Sequence, residues 1–310
     1  MDQRATALLR QHRWNPGDIL GAGMEGTVIE LSRDEVAKVW HGRNPTDLHA
    51  LLSFGSALEQ SPIPFRCSRV IAIVEDGDLA VTIEQRVPGR SLRPDALPNA
   101  PLVTGDEIRL MGDALAGLSQ ATAVDLNALP ILPAEKPFSH TSSFGVSLAD
   151  LAERRFERRP ELLRKEIGDI DALVTELLCR LRDLPESDSK CLIHGDLIPA
   201  NVLIEDGEVG GVVDFGFLTT VGDPQFDAAI AASSFDMYGP NARQSEQALS
   251  AAFSARFGHD AEVYSLYRAA YAVITNAYFA IDGQDGHFLW CAEMLKREDV
   301  REAIVSPPDS

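Results

Sequence analysis

Asp196, Asn201 and Asp214 stand in CLIHGDLIPANVLIEDGEVGGVVDFG (residues 191–216), polar groups in a run that otherwise reads as buried strand. Phosphoryl transfer from a nucleotide needs such groups in one pocket. It requires a carboxylate within reach of an acceptor hydroxyl, oxygen ligands for Mg2+ and a cation on the phosphates. Asp196 is the candidate base for the hydroxyl. Asn201 offers a neutral amide oxygen and Asp214 a charged one to Mg2+, a hard cation that prefers oxygen. A tight hairpin would bring these two ligands together. Singly, each residue has a plainer reading, the aspartates as turn formers and the asparagine as a left-handed residue. All three in this order, downstream of two further features, favour the catalytic reading.

Those features lie near the N-terminus. LGAGMEGTV places Gly21, Gly23 and Gly26 in GxGxxG spacing, a weak signal by itself. A dinucleotide fold would have these glycines open a helix, whereas here TVIEL and then VAKVW continue as strands. A glycine loop between antiparallel strands suits a flap over phosphates, its backbone amides facing the nucleotide. The Walker pattern is absent. Lys38, mid-strand in VAKVW, is read as the cation on the α- and β-phosphates rather than as an edge-strand lysine facing solvent.

The elements that must position these groups fall into an α+β arrangement. Residues 1–84 form a small β-rich lobe, with strands at GTVIEL, EVAKVW, RVIAIVE and LAVTIE and one helix over 46–60. QRVPGRSLRP (85–94), with two prolines and a glycine, is a linker. Residues 95–310 form a larger, mainly helical lobe. Thr104 and Glu107 make a capping-box signature, and Ser147 and Pro160 open two further helices, the second reaching about Leu184. Residues 121–146 read as a long loop. Two strands flank the EDGE turn (205–208), with helices near 224–235, 243–257, 260–281 and 285–298 and a frayed tail, SPPDS.

Composition narrows the class. The 310 residues are 45% hydrophobic and 24% charged, as in a soluble globular protein, and no apolar run is long enough to cross a membrane. Cys67, Cys179, Cys191 and Cys291 are scattered without a CxxC pair, which fits reduced thiols in a cytoplasm. The formal net charge of −19 repels nucleic acid and anionic membranes. It either serves solubility or attracts a cationic small molecule.

HGDLIPANVL with VVDFG resembles the catalytic signature of the aminoglycoside phosphotransferase and choline kinase family, the small-molecule branch of the protein-kinase-like fold. The likeness spans about residues 17–235 and includes GDPQFDAAI, similar to the family's DPxxDLA segment. It implies a bilobal fold, ATP with Mg2+ (GTP being the other nucleotide left open), Asp196 as base, and Asn201 and Asp214 as magnesium ligands. It also implies that TIEQRVPG is the hinge, with Gln85 and Val87 meeting the adenine through their backbones. His194 is then a hydrogen-bonded brace, and Asp223 an N-cap with Pro224 at the first helical position. Asp227 either braces the catalytic loop or is solvated. One departure stands out: the glutamate that kinase-like folds place on the N-lobe helix to hold the lysine falls near His49, with Asp47 and Glu59 the nearest acids.

Only FLTTV separates DFG from GDP, which leaves no room for a protein kinase's activation segment, and no APE motif follows. A pseudokinase would lack the base or a metal ligand, and all are present here. The implied acceptor is small and cationic, an aminoglycoside-type antibiotic first, with choline, homoserine, a thioribose sugar or a macrolide as alternatives. Asp236, Glu246, Asp260, Glu262, Asp282, Asp285 and Glu293 on the C-terminal helices are the candidate acidic wall for it. Tyr264, Tyr267, Tyr271 and Tyr278 read as core.

Overall fold

The computed structural model describes residues 2–23, 26–41, 45–94, 100–122, 124–139, 141–279 and 282–306; for residues 45–47 and 124–125 only the backbone is described. The chain runs α1 (Gln3–Gln11), β1 (Ile19–Ala22), β2 (Gly26–Glu30), β3 (Glu35–Trp40), α2 (Pro45–Glu59), β4 (Arg66–Cys67), β5 (Val70–Asp76), β6 (Leu79–Gln85) and β7 (Arg90–Ser91). It continues through α3 (Gly105–Leu118), α4 (Phe144–Arg158), α5 (Pro160–Glu166), α6 (Ile170–Asp183), β8 (Cys191–Ile193), β9 (Val202–Glu205), β10 (Glu208–Val212) and β11 (Thr220–Gly222). Helices α7 (Pro224–Ser234), α8 (Ala242–Phe257), α9 (Ala261–Thr275), α10 (Gly286–Lys296) and α11 (Glu298–Val305) close it.

The N-terminal sheet has the order β1-β2-β3-β6-β5, antiparallel throughout. Its two faces explain the placing of Lys38. Strand residues alternate sides: Ala37 and Val39 pack with Ile29, Val81 and Ile83 beneath Ala5, Leu8 and Leu9 of α1. Lys38 and Trp40 therefore share the opposite face, where Trp40 joins Leu48, Leu51 and Phe54 of α2 in the main core. Because β3 lies between β2 and β6, Lys38 is a central-strand lysine and only 6% exposed, which rules out the solvent-facing alternative. Helix α1 itself is a correction to the sequence reading. The polar N-terminus hides an Ala5, Leu8, Leu9 stripe, and Asp2 caps the helix by accepting from the Arg4 and Ala5 amides.

A second sheet, β4-β10-β9-β7, joins the two halves of the chain. β4 runs parallel to β10, and β7 pairs antiparallel with β9. The expected linker is thus strapped down: β6 runs on to Gln85, and Ser91 Oγ donates to the Ala200 carbonyl at 2.9 Å. The β9–β10 turn has Asp206 and Gly207 both at positive φ, the backbone a two-residue hairpin needs.

The Thr104–Glu107 capping box forms with both of its hydrogen bonds. Helix α4 begins earlier than expected: Ser143 is the cap, and Ser147 lies buried inside the helix. The segment after Pro160 breaks into α5 and α6 around Gly168; the last predicted helix, 285–298, is α10, and α11 follows it without having been expected. The loop before α4 contains a 3-10 turn at Val124–Asn127. Beyond Ser306 the expected frayed tail lies outside the described residues.

Candidate active site

The base loop starts where β8 ends. His194 is fully buried, and its ring links two segments: Nε2–H donates to the Val213 carbonyl at 2.9 Å, while Nδ1 accepts from the Asp196 amide at 3.2 Å. That pattern is the neutral tautomer. Burial pushes the imidazole down to about 4, with the Val213 carbonyl opposing. The brace expected from sequence is what the geometry shows. Between about pH 4 and 6.5 the folded chain binds fewer protons here than the unfolded chain. His194 therefore contributes stability above pH 6.5 that is lost as pH falls toward 4. In an NMR titration its ring should remain neutral from pH 8 down to pH 5; a protonation midpoint near 6.5 would contradict the brace.

Gly195 follows at φ +85°, and a Cβ there would lie 2.3 Å from the Phe217 carbonyl oxygen. Only glycine fits so close an approach in that backbone region. Asp227 of α7, buried, accepts from the His194 amide at 2.6 Å and from the Gly195 amide at 2.8 Å. Burial raises its carboxyl to about 7, against the pull of those two N–H donors. Of the two sequence readings of Asp227, the brace holds. Asp223 caps the same helix by accepting from the Gln225 amide at 3.0 Å, as expected.

Asp196 comes next, half-buried, with its carbonyl accepting from Asn201 Nδ2 at 2.9 Å. This bond takes the nitrogen of the Asn201 amide and leaves its oxygen as the group for a cation. The Val213 amide donates to the Asn201 carbonyl at 3.0 Å, so the hairpin sets Asn201 beside the residue preceding Asp214. Asp214 has φ 70°, a left-handed conformation that aspartate tolerates better than most residues. Its amide donates to Ser68 Oγ, from the segment after β4, at 3.2 Å.

Lys38 and Asp214 form an ion pair across the two sheets, bringing together groups far apart in sequence. Lys38 Nζ also lies 3.9 Å from the centroid of the Trp40 ring. Phe215 packs between Phe54 of α2 and the His194 ring, at centroid distances of 5.5 and 4.6 Å. The glycines separate by role. A Cβ on Gly21 or Gly23 meets nothing within 4 Å, whereas one on Gly26 would lie 2.4 Å from the Val39 carbonyl oxygen. Gly26 is thus required by the β2–β3 contact. Met24 and Glu25, between Gly23 and Gly26 in sequence, lie outside the described residues.

At the expected hinge, the Gln85 amide donates to the Arg69 carbonyl at 2.9 Å, so that amide is already engaged. Among the described residues no acceptor takes the Val87 amide. Neither Glu59 nor His49 serves Lys38: Glu59 pairs with Arg69, and His49 Nε2 lies 3.3 Å from Glu75. The side chain of Asp47 lies outside the described residues. Sequence reasoning passed over Glu84, which lines a small cavity with Lys38 and Asp214. The signal was there in VTIEQ, where Thr82 and Glu84 are polar on alternate positions of an apolar strand.

Most acids of the candidate wall already have partners. Glu246 is buried among Arg243, Arg268 and Arg297. Glu262 pairs with Arg180, and Glu293 with Lys296 at 3.0 Å. Asp236 accepts from the Asn241 amide, Asp260 caps α9, and Asp282 accepts from the Gln284 amide. Asp285 caps α10 through Oδ1, and its Oδ2 is buried without a partner. Aromatic residues occupy the flank of the base loop instead. Phe217, Tyr271, Tyr278, Phe279, His287 and Trp290 make successive ring contacts at 4.7–6.5 Å. Burial raises the Tyr271 phenol, and the charge of Asp196 adds to that. Tyr264, Tyr267 and Tyr271 are core, as expected, and Tyr278 packs against that core.

A lysine on the inner face of a five-stranded sheet, opposite a hairpin that carries Asp196, Asn201 and Asp214, is the arrangement of the protein-kinase-like fold. The chain belongs to the Phosphotransferase enzyme family, whose model matches residues 20–271; these are small-molecule phosphotransferases. The fold is similar to macrolide 2'-phosphotransferase MphH from Brachybacterium faecium, at 18% identity and TM-score 0.60 over 100% of both chains. It is also similar to the streptomycin–ATP complex of APH(2")-IIa, at 17% identity and TM-score 0.59 over 99% of both chains. APH(3'')-Id from Streptomyces rimosus, bound to ADP and streptomycin, matches at 20% identity and TM-score 0.54, covering 89% of this chain and 99% of its own.

Proposed function

We propose that this protein transfers the γ-phosphoryl group of ATP, as its magnesium complex, to a hydroxyl of a small amine-bearing molecule. The observation that supports the reading is the Lys38–Asp214 ion pair, which brings the proposed phosphate cation beside the proposed metal carboxylate. Gly21 and Gly23 cover the phosphates, with Gly26 shaping the flap, and Lys38 neutralises them. The Gln85 carbonyl and the Val87 amide receive the purine. Asn201 Oδ1 and Asp214 would hold the magnesium ion. Among the described residues no cluster of three or more His, Cys, Asp or Glu side chains could hold a metal. An amide and a carboxylate suit Mg2+, which keeps waters and takes phosphate oxygens as its other ligands. When bound, that ion would neutralise charge developing on the phosphates. Asp196 orients the acceptor hydroxyl and takes its proton as the new O–P bond forms.

ATP is the proposed donor, and solved relatives contain ATP, ADP or GDP, so GTP belongs in the same assay. Among acceptors, the aromatic flank and the engaged acids favour a molecule with a broad apolar face and one amine, as in a macrolide, ahead of a polyamine aminoglycoside. The unpaired oxygen of Asp285 is the group for that amine. Free thiols at Cys67, Cys179, Cys191 and Cys291 support a reducing cytoplasm, and no described helix is long and apolar enough to cross a membrane. Steady-state ADP release with ATP, Mg2+ and a panel of macrolides and aminoglycosides tests the ordering. Macrolides should give the higher kcat/KM. Turnover confined to aminoglycosides would reverse the assignment.

A further inference from the structure

We infer that Glu84, on the strand beside Lys38, is the residue that positions the lysine for the phosphates. The inference rests on the nucleotide-binding reading above and on the shared strand face of Lys38 and Glu84. Lys38 and Thr82 are direct cross-strand partners on β3 and β6, so their side chains share one face. Glu84, two residues along β6, shares it as well. Trp40 Nε1 donates to Thr82 Oγ1 at 2.9 Å, and Thr82 Oγ1 donates to Glu84 Oε1 at 2.7 Å. The Glu84 carboxylate is thereby fixed at one oxygen and directed along the inner face of the sheet.

Lys38, Trp40, Glu84 and Asp214 border a single cavity of about 20 Å3, room for one water molecule. Burial raises the Glu84 carboxyl, and the charge of Lys38 is the main opposing influence. The ion pair with Asp214 joins the lysine to a group that metal binding would occupy. With Asp214 engaged by a bound cation, Glu84 would retain the ammonium on the inner face, directly or through one water. The ammonium has three donors, so one can remain on Glu84 while the others reach phosphate oxygens. Glu84 thus acts through Lys38 and touches neither the reacting atoms nor the acceptor.

The test is calorimetric and needs no acceptor. Binding of ATP·Mg2+ and of adenosine is compared in the unaltered protein, Glu84→Gln, Lys38→Met and the double variant. Glu84→Gln keeps the size of the side chain and the bond from Thr82. It should weaken ATP about tenfold, the scale of one charge-assisted hydrogen bond, and leave adenosine within about twofold. The double variant should bind ATP no more weakly than Lys38→Met alone. Additive losses, or equal loss of ATP and adenosine, would overturn the proposal, the second outcome making Glu84 a contact to the purine. Glu84→Asp keeps the charge and should recover part of the ATP affinity. If Glu84→Gln does not fold, Glu84→Asp carries the test: selective loss of ATP supports the role, and parallel loss overturns it. Failure of the unaltered protein to bind either ligand would remove the nucleotide reading itself, and the proposal with it.

Discussion

Asp196→Ala abolishes measurable phosphoryl transfer while ATP·Mg2+ affinity stays within about twofold. A positioned general base contributes roughly 10²–10⁴-fold, and alanine removes the carboxylate without disturbing the backbone that holds it. Both Asp196 backbone groups have structural partners, the amide on His194 Nδ1 and the carbonyl on Asn201 Nδ2. These bonds are independent of the side chain, so the loop should keep its shape. Single-turnover kinetics alongside nucleotide titration separate the two effects. A variant that turns over normally per bound ATP would mean that the proton goes elsewhere and that Asp196 serves binding.

Asp227→Ala acts from the other side of the same loop and should lower both stability and turnover. The carboxylate is 2% exposed and accepts from the buried His194 and Gly195 N–H groups. Each orphaned donor costs about 1–3 kcal/mol. Some of that is offset because the burial penalty on the carboxylate, visible in its raised titration, also disappears. For a chain of this size each net kcal/mol lowers Tm by about 2–4 °C. The fall in kcat follows from geometry: without the clamp on His194 and Gly195, the next residue in the loop is Asp196. Thermal unfolding and kcat on one preparation check both. An unchanged Tm with unchanged kcat would leave Asp227 a passenger.

Much of this was legible in sequence, for reasons that differ from element to element. Periodicity located β2, β3, β5, β6 and α2 because their apolar residues repeat with one dominant spacing. The Thr104–Glu107 and Asp223–Pro224 caps were readable because capping is local chemistry. Asp196, Asn201 and Asp214 were readable as a set because a hairpin with a short turn must bring its two ends together. Helix α1 escaped because only Ala5, Leu8 and Leu9 face the sheet and charged residues occupy the rest. Glu84 escaped because its meaning depends on the register of β6 against β3, which no single strand carries. The acidic helices misled for a related reason. A carboxylate's partner is a matter of packing, and the arginines around Glu246 come from α8, α9 and the α10–α11 junction.

The central claim is that one cleft, bounded by Lys38, Asp196, Asn201 and Asp214, moves a phosphoryl group from a nucleotide to a hydroxyl. Phosphorus NMR of the protein with ATP, Mg2+ and an amine-bearing macrolide tests it most directly. The account predicts a new phosphomonoester resonance growing in step with ADP, and none with the Asp196→Ala protein. Inorganic phosphate as the sole product, or no ATP consumption with any acceptor on the macrolide and aminoglycoside panel while ATP binding is intact, would contradict it.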